Sequence, residues 1–269
     1  MSNEQLKKSY ADPEECARDI LEIAGPHIKL ALPLGLGKAN LLANALYHQV
    51  ASHPSLKLDI FTALTLERPS PTNDIEARFM GPVTDRLFGS YADLAFAAAD
   101  RSSSLPDNIR VFQFYFQPGK RLGSDPAQQR HISSNYTHIV RDLLDRGVNV
   151  FAQLVAPLEK EDGFNLSCNA DLTQELLDHR DDPDRGFIFI GEANTNLPVM
   201  DRGANLPRSD FDVLLEPPKP HFDIVKVPNR EVGLADYAAG LHASSLVADG
   251  GTIQFGIGSL SDAAAHVLR

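Results

Sequence analysis

The chain has 269 residues, enough for one large domain or two modest ones. Its 43% hydrophobic content is that of a globular protein with a core. A formal charge of −11 argues against a nucleic-acid partner, because phosphate backbones are gripped mainly by Lys and Arg. An anionic ligand would instead be held by local donors. Cys16 and Cys168 are too few for a disulfide framework and lack metal-ligand spacing. The start, Met1–Gln5, has no apolar h-region, and no run approaches about 18 apolar residues, so the expectation is a cytoplasmic protein with no membrane partner.

Asp12-Pro13-Glu14-Glu15 starts a helix, with Asp12 as N-cap, Pro13 at the first helical position and Glu15 closing a capping box; Gly25 ends it. Residues 27–32 predict a strand, Leu34-Gly35-Leu36-Gly37 a turn, 39–52 a helix with Leu42, Ala45 and Leu46 on one side, and 58–64 another strand. That is a βαβ unit, hence a parallel pair with a right-handed crossover. Further strands are predicted at 111–116, 148–155, 186–190 and 211–215, and helices at 135–146 and 171–178. The alternation places the chain in the α/β class, with a parallel or mixed sheet covered by helices on both faces. The polar segment 117–129, with Lys120 and Arg121, reads as a site-lining loop, and Glu161-Asp162-Gly163-Phe164-Asn165 as a turn.

Residues 194–230 carry most of the late prolines and read as an irregular connection. From Glu231 a new pattern starts: a helix through Leu234, Tyr237, Leu241 and Leu246, then Asp249-Gly250-Gly251 and a terminal strand, turn and helix. The boundary falls near residue 225. This gives a first domain, 1–225, and an incomplete second domain, 226–269, too small to bury a core of its own.

Gly35-Leu36-Gly37 and Gly256-Ile257-Gly258 each follow an expected strand and precede a helix. Neither extends to Gly-x-Gly-x-x-Gly, because Asn40 and Ser261 hold the third position, so a plain tight turn competes with dinucleotide binding. At the second turn Ser259 or Ser261 is placed to cap the Ala-rich helix, and the turn's amides suit a phosphate, a carboxylate or a developing oxyanion. Glu192 to Pro198 follows a parallel strand, where α/β sheets bind ligands; the competing reading is again a turn. None of the nine histidines has metal spacing and no Gly-x-Ser-x-Gly elbow is present, so neither a metal nor a self-contained nucleophile–base pair is expected.

Taken together, Leu246-Val247-Ala248-Asp249-Gly250-Gly251-Thr252-Ile253-Gln254-Phe255-Gly256-Ile257-Gly258-Ser259-Leu260-Ser261-Asp262-Ala263 resembles the acetyl-CoA hydrolase/transferase family. That family includes acetate, succinate and 4-hydroxybutyrate CoA-transferases. The shared pattern is Asp-Gly, a Thr-x-Gln strand, Gly-x-Gly and an acidic or Asn-Ala helix start. Gly191-Glu192-Ala193-Asn194-Thr195-Asn196-Leu197-Pro198 is similar to the family's Glu-x-Asn-x-x-x-Pro, and Asp162-Gly163-Phe164 to its turn after a strand.

The resemblance implies a CoA-transferase-like fold of two similar α/β domains with the active site between them, of which this chain is the N-terminal portion. It implies an acyl-CoA:carboxylate CoA-transferase or acyl-CoA hydrolase, with a glutamate expected beyond Arg269 as nucleophile and a glutamyl-CoA intermediate. Coenzyme A enters as substrate with no further cofactor, and the partners are an acyl-CoA, a small carboxylate, and a second copy or a C-terminal domain. By the same resemblance, Gly256, Ile257 and Gly258 help form an oxyanion hole and Gln254 faces the acyl group. Asn194 and Pro198 shape the approach, and Gly35 and Gly37 stand where members carry a Gly- or Pro-containing turn beside the substrate. Two other readings stay open: a non-catalytic subunit or remnant, and a nucleotide- or sugar-phosphate-binding α/β protein.

Overall fold

The computed structural model describes residues 7–269 apart from 171, 181, 183–184, 201–202 and 227–229. The expected helix start at Asp171 therefore lies outside the described residues. Two units are distinguished, Met1–Val225 and Lys226–Arg269.

In chain order the first unit contains β1 (Lys8–Tyr10), α1 (Pro13–Ala24), β2 (His27–Leu34), a short 3-10 turn at Gly35–Gly37, α2 (Asn40–Ala51) and β3 (Lys57–Ala63). It continues with α3 (Asp74–Phe88), α4 (Ala95–Arg101), β4 (Ile109–Gln113), α5 (Asp125–Gln129) and α6 (Ile139–Asp145). Then come β5 (Val150–Pro157), β6 (Gly163–Asn165), α7 (Thr173–Leu177), β7 (Ile188–Ala193), β8 (Asn205–Pro207) and β9 (Val213–Leu215).

The main sheet runs in the order β1-β9-β7-β5-β2-β3-β4, and all its pairs are parallel. Starting from β2, the chain first builds outward through β3 to β4. It then returns to the other side of β2 and builds through β5 and β7 to β9. The reversal lies between β2 and β5, and in open α/β sheets ligands bind beyond the strand ends at such a point. β6 and β8 add an antiparallel flap on β5, so the sheet is mixed. The expected turn at 161–165 is therefore partly strand: Gly163–Asn165 pairs with Ala156 and Pro157.

Side chains alternate across the strands and build a core on each face. Ile28, Leu30, Leu58, Ile60, Val150, Ala152, Ile188 and Ile190 meet α1, α2 and α4 through Cys16, Ile20, Leu42, Leu46 and Phe96. Ala31, Phe61, Phe151, Phe189 and Leu214 meet α6 and α7 through Ile139, Leu143 and Leu176. On this second face Phe151 stacks on Phe189 at 5.5 Å and Phe189 on Phe211 at 4.7 Å. Offset ring pairs of this kind are worth about 0.5–1.5 kcal/mol beyond their burial. The unit has helices on both faces of its sheet, as the alternation of elements implied.

The first helix starts at Pro13 with Asp12 as N-cap and ends at Gly25, whose N–H donates to Leu21 O. The side-chain cap accepts from the Glu14 N–H at 2.9 Å and does not run through Glu15. Sequence periodicity does not show α3 and α4. The apolar residues Ile75 and Phe79 of α3 are exposed, and Pro82 stands inside the helix.

The second unit is a helical pair, α8 (Leu234–Ser244) and α9 (Ser259–Val267). Tyr237 of α8 meets His266 of α9 edge-on at 5.8 Å, and Ala263 and Ala264 are buried. The expected strand at Thr252–Phe255 is not formed: these residues pair with no strand, and the described residues of this unit contain none. A lone extended segment has no ladder partner for its backbone groups, and a strand exists only as part of a sheet.

Candidate functional site

At the C-terminal end of β2 the chain turns through Gly35-Leu36-Gly37 into Lys38. Gly35 has φ +66°, and a Cβ on Gly37 would lie 2.3 Å from Asn169 Oδ1, so no larger residue fits there. Lys38 is fully buried, and its Nζ donates to Gly35 O at 3.1 Å and to Ala63 O at 2.8 Å. It thereby clips the end of β2 to the end of β3. These carbonyls replace part of the hydration that the buried cation has lost. Leu64, directly after β3, is held at φ +43°, a strained value for leucine that the surrounding contacts must maintain.

Across the reversal, Asn169 Nδ2 donates to Leu34 O at 2.8 Å. Gln153 Nε2 donates to Asn169 O at 2.7 Å, and Gln153 Oε1 accepts from Thr173 Oγ1. Protein groups therefore fill the crevice beside Gly35 and Gly37. The two glycines allow the backbone of the turn to approach Asn169.

The open space lies one strand further, beyond β5 and β7. A cleft of about 800 Å³ is bordered by Pro157, Glu159, Lys160, Thr195, Leu197 and Lys219. Asn194, buried just after β7, and Pro198 do not line this cleft but are chain neighbours of Thr195, Leu197 and Val199, which do. Asn194 Oδ1 accepts from Asn196 N at 2.8 Å and its Nδ2 donates to Phe222 O at 3.1 Å. Pro198 is exposed, and its carbonyl accepts from Ser167 Oγ at 2.7 Å; Ser167 sits at φ +55°. His221 accepts from Thr195 N at 2.8 Å through Nδ1 while Nε2 lies 3.0 Å from Pro217 O. An amide can only donate and a carbonyl only accept, so His221 is the neutral Nε2–H tautomer.

Glu192 belongs to the same sequence stretch, but its side chain does not face the cleft. It is fully buried, and its oxygens accept from Leu41 N at 3.2 Å and Leu42 N at 3.0 Å, in the first turn of α2. Burial pushes its carboxyl up to about 7, against the pull of those two backbone donors. Its role is to fix the start of α2, and with it the Gly35–Gly37 turn. Nothing near it in sequence signals this, because the partner amides are 150 residues away.

The remaining expected site residues lie in the second unit. Gln254, Gly256, Ile257 and Gly258 are all exposed, Ile257 at 89%. Gly258 is the N-cap of α9 with φ +147°, and no side chain caps that helix. The cap expected from Ser259 or Ser261 is absent because these two residues already lie inside the first turn, where their hydroxyls are past the N-cap position. The first amides of α9 thus follow an exposed glycine turn with no side-chain acceptor.

The polar segment after β4 ends in a short helix, α5. It lines a smaller cavity of about 280 Å³ with Phe116, Arg121, Leu122 and His131. Among the described residues no three His, Cys, Asp or Glu gather as a metal ligand set. No described helix is long and apolar enough to cross a membrane.

No protein-family model matches the sequence, and no curated protein matches it. Solved structures do. RipA from Yersinia pestis superposes with a TM-score of 0.61 at 20% identity, over 99% of this chain and 55% of that one. A 4-hydroxybutyrate CoA-transferase from Porphyromonas gingivalis gives a TM-score of 0.54 at 17% identity, over 96% of this chain and 50% of that one. The chain has a CoA-transferase-like α/β fold and spans about half the length of the structures it matches.

Proposed function

We propose that this chain is the N-terminal portion of an acyl-CoA:carboxylate CoA-transferase or acyl-CoA hydrolase of the acetyl-CoA hydrolase/transferase family. The supporting observation is an exposed Gly256-Ile257-Gly258 turn, leading into an uncapped helix, in a chain with a CoA-transferase-like fold. A thioester carbonyl gains negative charge on attack, and preorganised amides aimed at it are worth about 3–4 kcal/mol per donor. Gln254 would orient the acyl group beside them.

In the proposed reaction a glutamate outside residues 1–269 attacks the thioester carbonyl and expels the CoA thiolate, giving an acyl–glutamyl anhydride. The thiolate then attacks the glutamyl carbonyl, releasing the acyl group as a carboxylate and leaving a glutamyl-CoA thioester. A second carboxylate reverses these steps and leaves as its CoA ester, or water hydrolyses the intermediate. Coenzyme A acts as substrate. The cleft beyond β5 and β7 would border the approach, with Asn194 and Pro198 beside its lining residues Thr195, Leu197 and Val199. We further propose a cytoplasmic protein that works as a homo-oligomer or with a C-terminal domain completing the second unit.

The test is an assay of a polypeptide extended beyond Arg269 with acetyl-CoA and a panel of carboxylates. Transfer or hydrolysis is expected, with loss of turnover when the nucleophilic glutamate is changed to Gln. Binding of NAD with no reaction of any CoA ester would instead favour the nucleotide-binding reading.

A further inference from the structure

α3 buries only two of its fifteen residues, Thr84 and Phe88. Ile75, Phe79 and Val83, which are 82%, 78% and 47% exposed, recur at every fourth position and form one stripe on the side away from those two. The helix also carries Gly81 and Pro82 in its middle, both poor helix formers, so propensity contributes little to holding it. Its C-terminal end is nonetheless fixed on the first unit. Ser90 N donates to Asp223 Oδ2 at 3.0 Å, and the Arg68 guanidinium lies 5.2 Å over the Phe88 ring. A fixed helix that turns three adjoining large apolar side chains to solvent marks an interaction surface.

Charges on the same face select the partner. Arg86 is exposed and lies seven positions after Phe79, in line with the stripe. Glu76 Oε2 accepts from Thr72 N at 2.7 Å and from Thr72 Oγ1 at 2.6 Å, which draws the carboxylate back to residue 72, seven positions before Phe79. An acid and a base therefore stand on either side of Phe79, each about 10 Å away along the axis. Two copies laid antiparallel about a two-fold axis at Phe79 bring each Arg86 opposite the other copy's Glu76. The same arrangement sets Ile75 opposite Val83 and Phe79 onto Phe79. A parallel copy would set Arg86 against Arg86 and place the helix dipoles side by side in the same sense. The helix's other charges, Asp74, Arg78 and Asp85, lie about 100° or more round from Phe79 and leave the centre of the contact apolar.

We propose that α3 pairs antiparallel, at a shallow crossing angle, with α3 of a second copy of this chain, with Phe79 on the two-fold axis. The helix is about 22 Å long and about 10 Å wide, so the pair covers less than the ~1,200 Å² of a standard interface. This contact alone therefore gives a reversible dimer set by concentration. The inference stands on α3 alone and is independent of the CoA reading.

The experiment measures sedimentation of the chain over a range of concentrations. A reversible monomer–dimer equilibrium is expected. Phe79→Glu sets two carboxylates together on the axis and should raise the dissociation constant roughly tenfold or more. The melting temperature of the monomer should be unchanged, because Phe79 is 78% exposed. Oxidative cross-linking reads the register independently, with Cys168→Ser removing the exposed thiol. In that background Phe79→Cys should link to itself. Ile75→Cys, about 12 Å along the axis from its own counterpart, should link only when mixed with Val83→Cys. Should Phe79→Glu fail to fold, the cross-linking pattern decides. The proposal is overturned if the wild type stays monomeric, if folded Phe79→Glu associates as the wild type does, or if Ile75→Cys links to itself as readily as Phe79→Cys. It is equally overturned if a polypeptide extended beyond Arg269 is monomeric with the stripe protected from solvent.

Discussion

The Glu192 carboxylate and the Leu42 amide are joined by a 3.0 Å hydrogen bond across 150 residues of chain. This contact ties the end of β7 to the start of α2, on the far side of the reversal between β2 and β5. It couples the Glu192–Pro198 stretch to the Gly35–Gly37 turn through one buried side chain. Glu192→Ala should leave two buried amides without acceptors and lower stability by about 2–4 kcal/mol, read by urea unfolding.

The same group predicts a pH dependence. Its carboxyl is raised from 4.5 to about 7 by burial, opposed by the two amides. Between those values the native state holds a proton that the unfolded chain has released. Its contribution is therefore complete below about 4.5 and is lost as pH rises toward 7, with a slope of up to ~1.4 kcal/mol per pH unit. Unfolding free energies measured across this window should show the slope in the wild type and lose it in Glu192→Gln.

Asp59 works in the opposite sense at lower pH. Burial pushes its carboxyl up, but hydrogen bonds from Arg110 Nε at 2.7 Å and from His27 at 2.9 Å outweigh that and hold it below 3.8. A depressed carboxyl stabilises the fold above its unfolded value and loses that contribution as pH falls through its folded value. Asp59→Asn should cost about 1–3 kcal/mol at neutral pH and make the acid limb of the stability curve shallower.

Gly37→Ala would drive a Cβ to 2.3 Å from Asn169 Oδ1. The substitution should destabilise by about 1–3 kcal/mol through overpacking. Combined with Asn169→Gly it should cost less than the sum of the two single changes, because only loss of the Asn169 Cβ, itself 2.7 Å from the added Cβ, removes the whole clash. A melting-temperature cycle over the four proteins checks this.

Cys16 is fully buried in the first core, and burial pushes its thiol up to about 12. A thiol this protonated is a poor nucleophile. Mass spectrometry after treatment with a thiol reagent should find Cys16 unmodified in the native protein and modified in urea.

The β2-α2-β3 unit was legible because apolar spacing, glycine turns and β-branched runs agree along it, so local pattern and tertiary pairing coincide. The helix over Asp74–Phe88 was not, because Ile75, Phe79 and Val83 are exposed and Pro82 interrupts the pattern. The signal was Asn73, whose side chain caps the Glu76 amide at 2.9 Å. Thr252–Phe255 misled because its residue types suit a strand while the described residues of its unit offer no strand to pair with. The place of Asn194 and Pro198 after a strand was legible; a substrate role for them is an expectation. The roles of Glu192 and Lys38 were not, because each depends on backbone groups from other strands or helices.

The claim that the amides around Ile257 stabilise an oxyanion is tested most directly by replacing that residue with proline, which removes its N–H. In the extended polypeptide, turnover of acetyl-CoA by Ile257→Pro should fall about a hundredfold to a thousandfold, while Ile257→Val, which keeps the amide, should react at close to the wild-type rate. Equal rates for the proline and valine variants, both folded, would contradict it.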